Sequence, residues 1–222
     1  PFSDIHGGAI LNTTINLFAN ASIMPRDDGK IVFHAIDRNE RYEYDAKEFL
    51  EVDMTKLPLQ VGIYNRIIKD FVGKPLAFEL ITHIDAPAGS GLGTSSTLVV
   101  SIVGAFVEWL NLPLGEYDIA QLAFSIERED LKMAGGKQDQ YAATFGGVNF
   151  MEFNKDNKVI VNPLRIKEEI LRELEFHLLL FYTKTDRESA KIIEVQKSNF
   201  KKSEAGVVVD GISEGSAAEA AN

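Results

Sequence analysis

From Leu11 to Ile23 the odd positions read Leu11, Thr13, Ile15, Leu17, Ala19, Ala21 and Ile23, while Asn12, Thr14, Asn16, Asn20 and Ser22 fall between them. That alternation predicts one strand with a single face on a core, bent or bulged at this length. Lys30–Ile36 and Tyr42–Tyr44 predict two more strands, joined by the polar turn Asp37-Arg38-Asn39-Glu40. The period then changes. Leu59, Ile63, Ile67 and Phe71, with Tyr64, Ile68 and Val72, recur every four residues and predict an amphipathic helix. Leu76–Ile84 returns to strand, and Thr97–Leu110 is apolar nearly all round, which predicts a buried helix. Beyond Pro113 and Gly115, Ile119, Leu122, Ala123 and Ile126 form one helical face, and Gln140–Phe145 predicts a further helix. Val148–Phe153 and Val159–Val161 read as a hairpin across Asn154–Asn157. Lys167–Leu174 predicts a polar helix, Leu178–Tyr182 a short strand and Ser189–Lys197 a last helix. Strands and helices mix without regular βαβ alternation, so the class expected is α+β. A domain boundary is expected near 163–175.

Composition narrows the functions open to such a fold. In 222 residues the chain has 23 Lys and Arg against 33 Asp and Glu, a net charge of −10, and no cysteine. That balance, with no Lys/Arg stripe, argues against a nucleic-acid partner. It leaves room for a small phosphorylated ligand, because a glycine-rich loop binds phosphate locally. Thiol nucleophiles, disulfides and cysteine-based zinc sites are excluded. The longest apolar run, around Leu98–Val107, is too short to span a bilayer, so no membrane partner is expected. No signal peptide is recognised, and a cytoplasmic setting is expected. The chain opens Pro1-Phe2-Ser3-Asp4 without an initiator Met, which predicts further sequence before it. Gly206 to Asn222, without Lys or Arg, differs from the rest and reads as a tail, an appended segment or a truncation product.

Candidate chemistry concentrates in Gly89-Ser90-Gly91-Leu92-Gly93-Thr94-Ser95-Ser96, between a predicted strand and a buried helix. Three glycines allow positive φ and close approach of a ligand to the backbone. The unpaired N–H groups of the following helix suit an anion, and three hydroxyls could bind phosphate or a metal ion. The plainer reading is a strand-to-helix turn with a Ser or Thr cap. The pattern is no P-loop, having no Gly-Lys-Ser/Thr ending, and Gly93 comes one residue too early for the dinucleotide fingerprint. Asp139, between Gly135-Gly136 and Gly146-Gly147, could accept a proton from a substrate hydroxyl or simply cap the helix after it. Glu127, at the border of an apolar helical face, could hold Mg²⁺ or belong to a solvated acidic helix end with Arg128, Glu129 and Asp130. His6, His34, His83 and His177 lack metal-ligand spacing.

The stretch Pro87-x-Gly89-Ser90-Gly91-Leu92-Gly93-Thr94-Ser95-Ser96 resembles the central phosphate-binding motif of the GHMP kinases. Gly7-Gly8-Ala9-Ile10-Leu11-Asn12, Glu116–Glu129, Gly135–Gly147 and Thr183-x-x-x-Arg187-x-Ser189 resemble the branch acting on D-glycero-D-manno-heptose 7-phosphate. The likeness runs from about residue 1 to residue 203. It implies an N-terminal domain like the second domain of ribosomal protein S5 over residues 1–172, then the start of a ferredoxin-like domain over 173–222. The family's first motif would lie before Pro1 and its third well beyond Phe200. By the same resemblance, Pro87, Ala88, Gly89, Ser90, Gly91, Leu92, Gly93, Thr94, Ser95 and Ser96 hold ATP phosphates. Ser95 and Glu127 would coordinate Mg²⁺, Asp139 would face the sugar hydroxyl, and Thr183 and Arg187 would lie near the substrate. The activity implied is ATP-dependent phosphorylation of the anomeric hydroxyl of a heptose 7-phosphate, with a homo-oligomer left open. The competing expectations are a kinase of this fold for a fucose-type or uronic-acid sugar, and an inactive fragment or homologue.

Overall fold

The alternating segment near the N-terminus is shared between two sheets. The structure is a computed structural model describing residues 7–87, 89–179 and 181. Strand β1 covers Gly8–Thr13 and β2 covers Ala19–Pro25, so the single strand expected over Leu11–Ile23 is two. Between them the backbone bonds leave the ladder. Thr14 N–H donates to the Gly147 carbonyl (2.9 Å), Gly147 N–H donates to Thr14 Oγ1 (2.8 Å), and Phe18 N–H donates to Asp85 Oδ2 (2.8 Å). The break also reverses which face is buried. Ala19, Ala21 and Ile23 turn inward on β2 as the alternation predicts, but on β1 Ile10 and Asn12 turn inward and Leu11 is 68% exposed. Each half takes its register from a different partner, and a change of one residue exchanges the faces.

Strands β3 (Lys30–Ala35) and β4 (Glu40–Asp45) form the expected hairpin. Asn39 adopts φ +51° in its turn, a conformation asparagine tolerates. Strand β5 (Phe78–Ile84) pairs parallel to β3 and antiparallel to β2, giving the order β2-β5-β3-β4. The second sheet, β1-β6-β7, is antiparallel, with β6 spanning Val148–Phe153 and β7 Val159–Pro163. Among the described residues, two sheets, one parallel pair and interspersed helices make the fold α+β.

Helix α1 (Pro58–Ile67) starts at a proline, whose missing N–H is no loss there, and runs into a π-helical turn at Ile68–Val72. Helix α2 (Thr94–Leu110) begins three residues earlier than its apolar pattern predicts. The reason is local: Gly93 takes φ +70° as N-cap, and Thr97 N–H donates to the Gly93 carbonyl at 3.0 Å. Helix α3 (Glu116–Phe124) passes into a second π-helical turn, Ser125–Asp130. Helix α4 (Gln138–Phe145) starts two residues before the expected Gln140. Helix α5 (Glu168–His177) has no buried residue, in keeping with its polar sequence. Leu178 and Leu179 follow it outside regular structure, so the strand expected at Leu178–Tyr182 does not begin there. The helix expected at Ser189–Lys197 lies outside the described residues, as does Gly206–Asn222.

The main core lies between the four-stranded sheet and α1 and α2. Phe78 is its centre, with the rings of Phe106 at 5.3 Å, Trp109 at 5.5 Å, Tyr64 at 5.8 Å and Phe33 at 6.1 Å. A smaller core joins Met151, Phe153, Val159 and Val161 of the second sheet to Ala120 of α3 and Tyr141 of α4. The glycine loop leaves β5 and enters α2, so its base is anchored in the main core while α4 is carried by the smaller one. Among the described residues no helix is long and apolar enough to cross a membrane.

Candidate active site

The loop after β5 needs its glycines. Gly89, Gly91 and Gly93 have φ of +73°, +76° and +70°, a left-handed region that costs other L-residues about 1–2 kcal/mol each. Gly89, Gly91 and Gly93, with Thr94, Ser95 and Ser96, line a cavity of about 470 Å³ closed on its other side by Glu127, Arg128, residues 133–136, Gln138 and Asp139. The first turn of α2 therefore points free N–H groups, and the partial positive charge of a 17-residue helix, into this space. Pro87 accepts the Ser90 N–H at 3.2 Å and closes the loop from behind. Pro87 and Ser90 are not among the lining residues, and Leu92 lines the neighbouring cavity. Ala88 lies outside the described residues.

Glu127 comes to this site from the second π-helical turn. Its side chain is fully buried, so it is no part of a solvated acidic helix end. Ser95 Oγ donates to Glu127 Oε1 at 2.7 Å, and Gln140 Nε2 donates to Glu127 Oε2 at 2.5 Å. The Arg128 guanidinium lies 3.8 Å from Oε1 and donates to the Ala134 carbonyl (3.1 Å) and the Gly136 carbonyl (3.4 Å). A Cβ on Gly135 would fall 2.3 Å from that guanidinium, which explains a glycine there. Ser96, by contrast, turns inward and accepts from Gln140 Nε2 at 3.0 Å.

Asp139 lies in the first turn of α4 and not at its cap, since Lys137 holds the cap position. Its carboxyl carbon would stand 3.2 Å from a Cβ on Gly93, so the glycine loop and α4 meet face to face here. A second cavity, about 520 Å³, opens on the far side. It is lined by Asn12, Thr13 and Thr14 from the end of β1, Leu17 and Phe18, Leu92, Thr97, Ser101 and the α4 residues Ala142 and Ala143. Gly93, Thr94, Gln138 and Asp139 line both cavities. Asp139 thus stands on the partition between a loop-lined space suited to phosphates and a mixed polar and apolar space suited to a small polar molecule.

The structure brings together Gly89, Gly91, Gly93, Thr94, Ser95, Ser96, Glu127 and Asp139, which lie up to fifty residues apart in sequence. Thr183 and Arg187 lie outside the described residues. Several participants carry no sequence signal of their own. Gln140 is fully buried, and its role is visible only from what it touches. Lys137 is 3% exposed, its ammonium 2.6 Å from Asn157 Oδ1 and 4.9 Å from the centre of the Phe124 ring. Asn12, Thr13 and Thr14 reach the second cavity only because β1 ends beside α4. Among the described residues no group of three or more His, Asp or Glu side chains could hold a metal. A hydroxyl and a carboxylate 2.7 Å apart at a phosphate-sized cavity do fit a magnesium ion, which keeps one or two protein ligands and takes the rest from phosphates and water.

The chain is similar to known proteins over most of its length. Residues 59–147 match the GHMP kinases N terminal domain. The chain is 56% identical over 196 residues to the D-glycero-alpha-D-manno-heptose 7-phosphate kinase of Campylobacter jejuni, covering 88% of this chain and 58% of that protein. A crystal structure described as a D-glycero-D-manno-heptose 1-phosphate kinase from Bacteriodes thetaiotaomicron superposes with a TM-score of 0.79 at 50% identity, over 91% of this chain and 66% of that one. A putative sugar kinase from Campylobacter jejuni gives 0.75 at 54% identity, over 87% and 62%. Lactococcus lactis galactokinase, 21% identical, shares the fold with a TM-score of 0.62 over 75% of this chain and 44% of that one. The chain thus spans 58% of the length of the Campylobacter jejuni heptose 7-phosphate kinase and 62% of that of the putative sugar kinase. With the glycine loop, the buried Glu127 and the Asp139 partition inside it, the matched stretch 59–147 is a GHMP kinase N-terminal domain.

Proposed function

We propose that this protein transfers the γ-phosphoryl group of ATP to the anomeric hydroxyl of D-glycero-D-manno-heptose 7-phosphate, giving the 1,7-bisphosphate. The observation that carries this reading is the position of Asp139, on the wall shared by a glycine-loop cavity and a second cavity of sugar size. In this reading residues 87–96 hold the ATP phosphates, with the N–H groups of the first turn of α2 taking the negative charge. Ser95 and Glu127 would hold Mg²⁺, which would supply charge neutralisation for the phosphates. The sugar occupies the space beside Asn12, Thr13, Thr14 and Ser101, with its anomeric oxygen against Asp139. The new bond joins that oxygen to the γ-phosphorus, the bond to the β–γ bridging oxygen breaks, and the hydroxyl proton passes to Asp139. Positioning supplies most of the acceleration, and an anomeric hydroxyl, more acidic than an ordinary alcohol, needs only a modest base.

Arg187 and Thr183 we assign to the substrate, with the Arg187 fork pairing the sugar phosphate. The domain division follows the same reading: residues 1–172 as a ribosomal protein S5 domain 2-like unit, and 173–222 as the opening of a ferredoxin-like domain. The setting proposed is cytoplasmic, where ATP is supplied. The relatives' names place the existing phosphate at position 7 in one and at position 1 in another, and the higher identity favours position 7.

The test is a coupled ADP-release assay on the protein at its natural length, with heptose 7-phosphate, heptose 1-phosphate, fucose and galactose as acceptors and ³¹P NMR of the product. Turnover confined to heptose 7-phosphate with a new anomeric phosphate resonance is expected. Preference for any other acceptor overturns the substrate. Asp139→Asn is expected to lower kcat by at least about tenfold to a hundredfold while ATP still binds. A wild-type kcat would remove Asp139 from the mechanism.

A further inference from the structure

Gln140 is a fully buried amide behind the Glu127 carboxylate. A carboxylate only accepts hydrogen bonds, so the amide nitrogen must face it, and the same nitrogen reaches Ser96 Oγ at 3.0 Å. This orientation leaves Gln140 Oε1 buried with no hydrogen-bond partner. Packing alone does not account for such a residue. A methionine or leucine would fill the space without a buried, unsatisfied carbonyl, a group that is expensive to keep out of water. What the glutamine does is occupy Glu127 Oε2, leaving Oε1 as the oxygen that meets Ser95. Gln140 does not line the loop cavity, while Glu127 and Ser95 do.

We infer that Gln140 is a positioning residue: its side-chain amide fixes the Glu127 carboxylate with Oε1 turned to Ser95 and the loop cavity, and thereby sets the affinity for the divalent cation. The inference rests on the reading of Ser95 and Glu127 as the Mg²⁺ holders. The chemistry is that of an outer partner to a metal ligand, whose loss typically weakens metal binding about 10- to 100-fold. The arrangement has a second consequence. Gln140 follows Asp139 in the first turn of α4, so one short helix both presents the carboxylate on the cavity partition and grips the carboxylate on the metal side. A shift of α4 moves both.

The experiment measures Mn²⁺ binding by electron paramagnetic resonance with a non-hydrolysable ATP analogue, on the protein at its natural length. Analogue affinity in EDTA and thermal unfolding are measured beside it. Gln140→Met keeps the length and removes the donor. Gln140→Asn keeps the amide and withdraws it by one methylene, and it carries the test where the Met variant does not fold. The expected result is an Mn²⁺ dissociation constant raised about tenfold or more, with metal-free analogue affinity within about twofold of wild type. In turnover the same variants should recover kcat when Mg²⁺ is raised. Unchanged Mn²⁺ affinity overturns the inference. So does a parallel loss of metal-free analogue binding, which marks a purely structural role. A wild-type protein that binds no Mn²⁺ with the analogue overturns the metal reading itself, and this inference with it. Wild-type binding with unaffected variants overturns the inference alone.

Discussion

Gly91 and Gly93 offer a comparison in which backbone strain and displacement of Asp139 can be separated. Both have left-handed φ, +76° and +70°, so alanine at either costs about 1–2 kcal/mol in the folded state. For a unit of this size that corresponds to a fall in Tm of roughly 2–8 °C. Their surroundings differ. A Cβ on Gly91 meets nothing within 4 Å, whereas one on Gly93 lies 3.2 Å from Asp139 Cγ and 3.4 Å from its Cβ and Oδ2. Asp139 must then give by a few tenths of an ångström. If a misplacement of about 1 Å costs a hundredfold, then about 0.3–0.5 Å costs about fourfold to tenfold in kcat. Both glycines line the loop cavity, so the KM for ATP is free to rise in both variants, and kcat at saturating ATP is the discriminating quantity. Thermal unfolding and steady-state turnover of Gly91→Ala and Gly93→Ala should show similar losses of stability and a fall in kcat peculiar to Gly93→Ala. Equal kcat values in the two variants would refute the argument that the loop and α4 are in register through this contact.

Phe78→Ala empties the centre of the aromatic core, where four rings lie within 6.1 Å, and is expected to cost about 3–5 kcal/mol by urea unfolding. Arg66 donates from Nε and Nη2 to Asp130 at 2.8 and 2.7 Å and from Nη1 to Asp70 at 3.3 Å, tying the two π-helical turns together. Because these groups are partly exposed, Arg66→Ala should cost no more than about 1 kcal/mol, and the loss should shrink in about 1 M salt. The hydrogen bond from Arg26 holds the Asp28 carboxyl down at about 2, below its ordinary value of 3.8. A depressed carboxyl contributes stability above its unfolded pKa and loses it as pH falls through the folded one. The difference between wild type and Asp28→Asn should therefore be present at pH 7 and shrink progressively as pH falls from about 4 through about 2, measured by urea unfolding. A difference as large at pH 2 as at pH 7 would contradict it.

Much of the secondary structure is legible because most of the long elements bury one face, and the burial leaves a period in the chain. The helix at Thr94–Leu110 was visible from its apolar residues, but its first turn was not. Thr94, Ser95 and Ser96 are polar, and they become helical only because Gly93 adopts a left-handed φ. The glycine loop stands out in the sequence as a candidate ligand loop, since three glycines and three hydroxyls between strand and helix are more than a turn needs. The alternation over residues 11–23 predicts one bent strand, and the structure divides it into two. Partner strands and the hydrogen bonds of Thr14 and Phe18 decide that, and they come from residues 53 to 145 positions away.

The acidic residues show the same division. Around Glu127 the local sequence is charged, and local pattern favours a solvated end; burial of its carboxylate follows from a π-helical turn and from Ser95 and Gln140 arriving from elsewhere. For Asp139 the sequence offered a cap or a base, and the tertiary contact with Gly93 sets it on the wall between two cavities. Periodicity is a property of neighbours along the chain, so the chain alone declares most of its helices and strands and marks a candidate ligand loop. A site needs particular atoms within about 3 Å of one another, and that distance is set by the packing of two sheets and four helices.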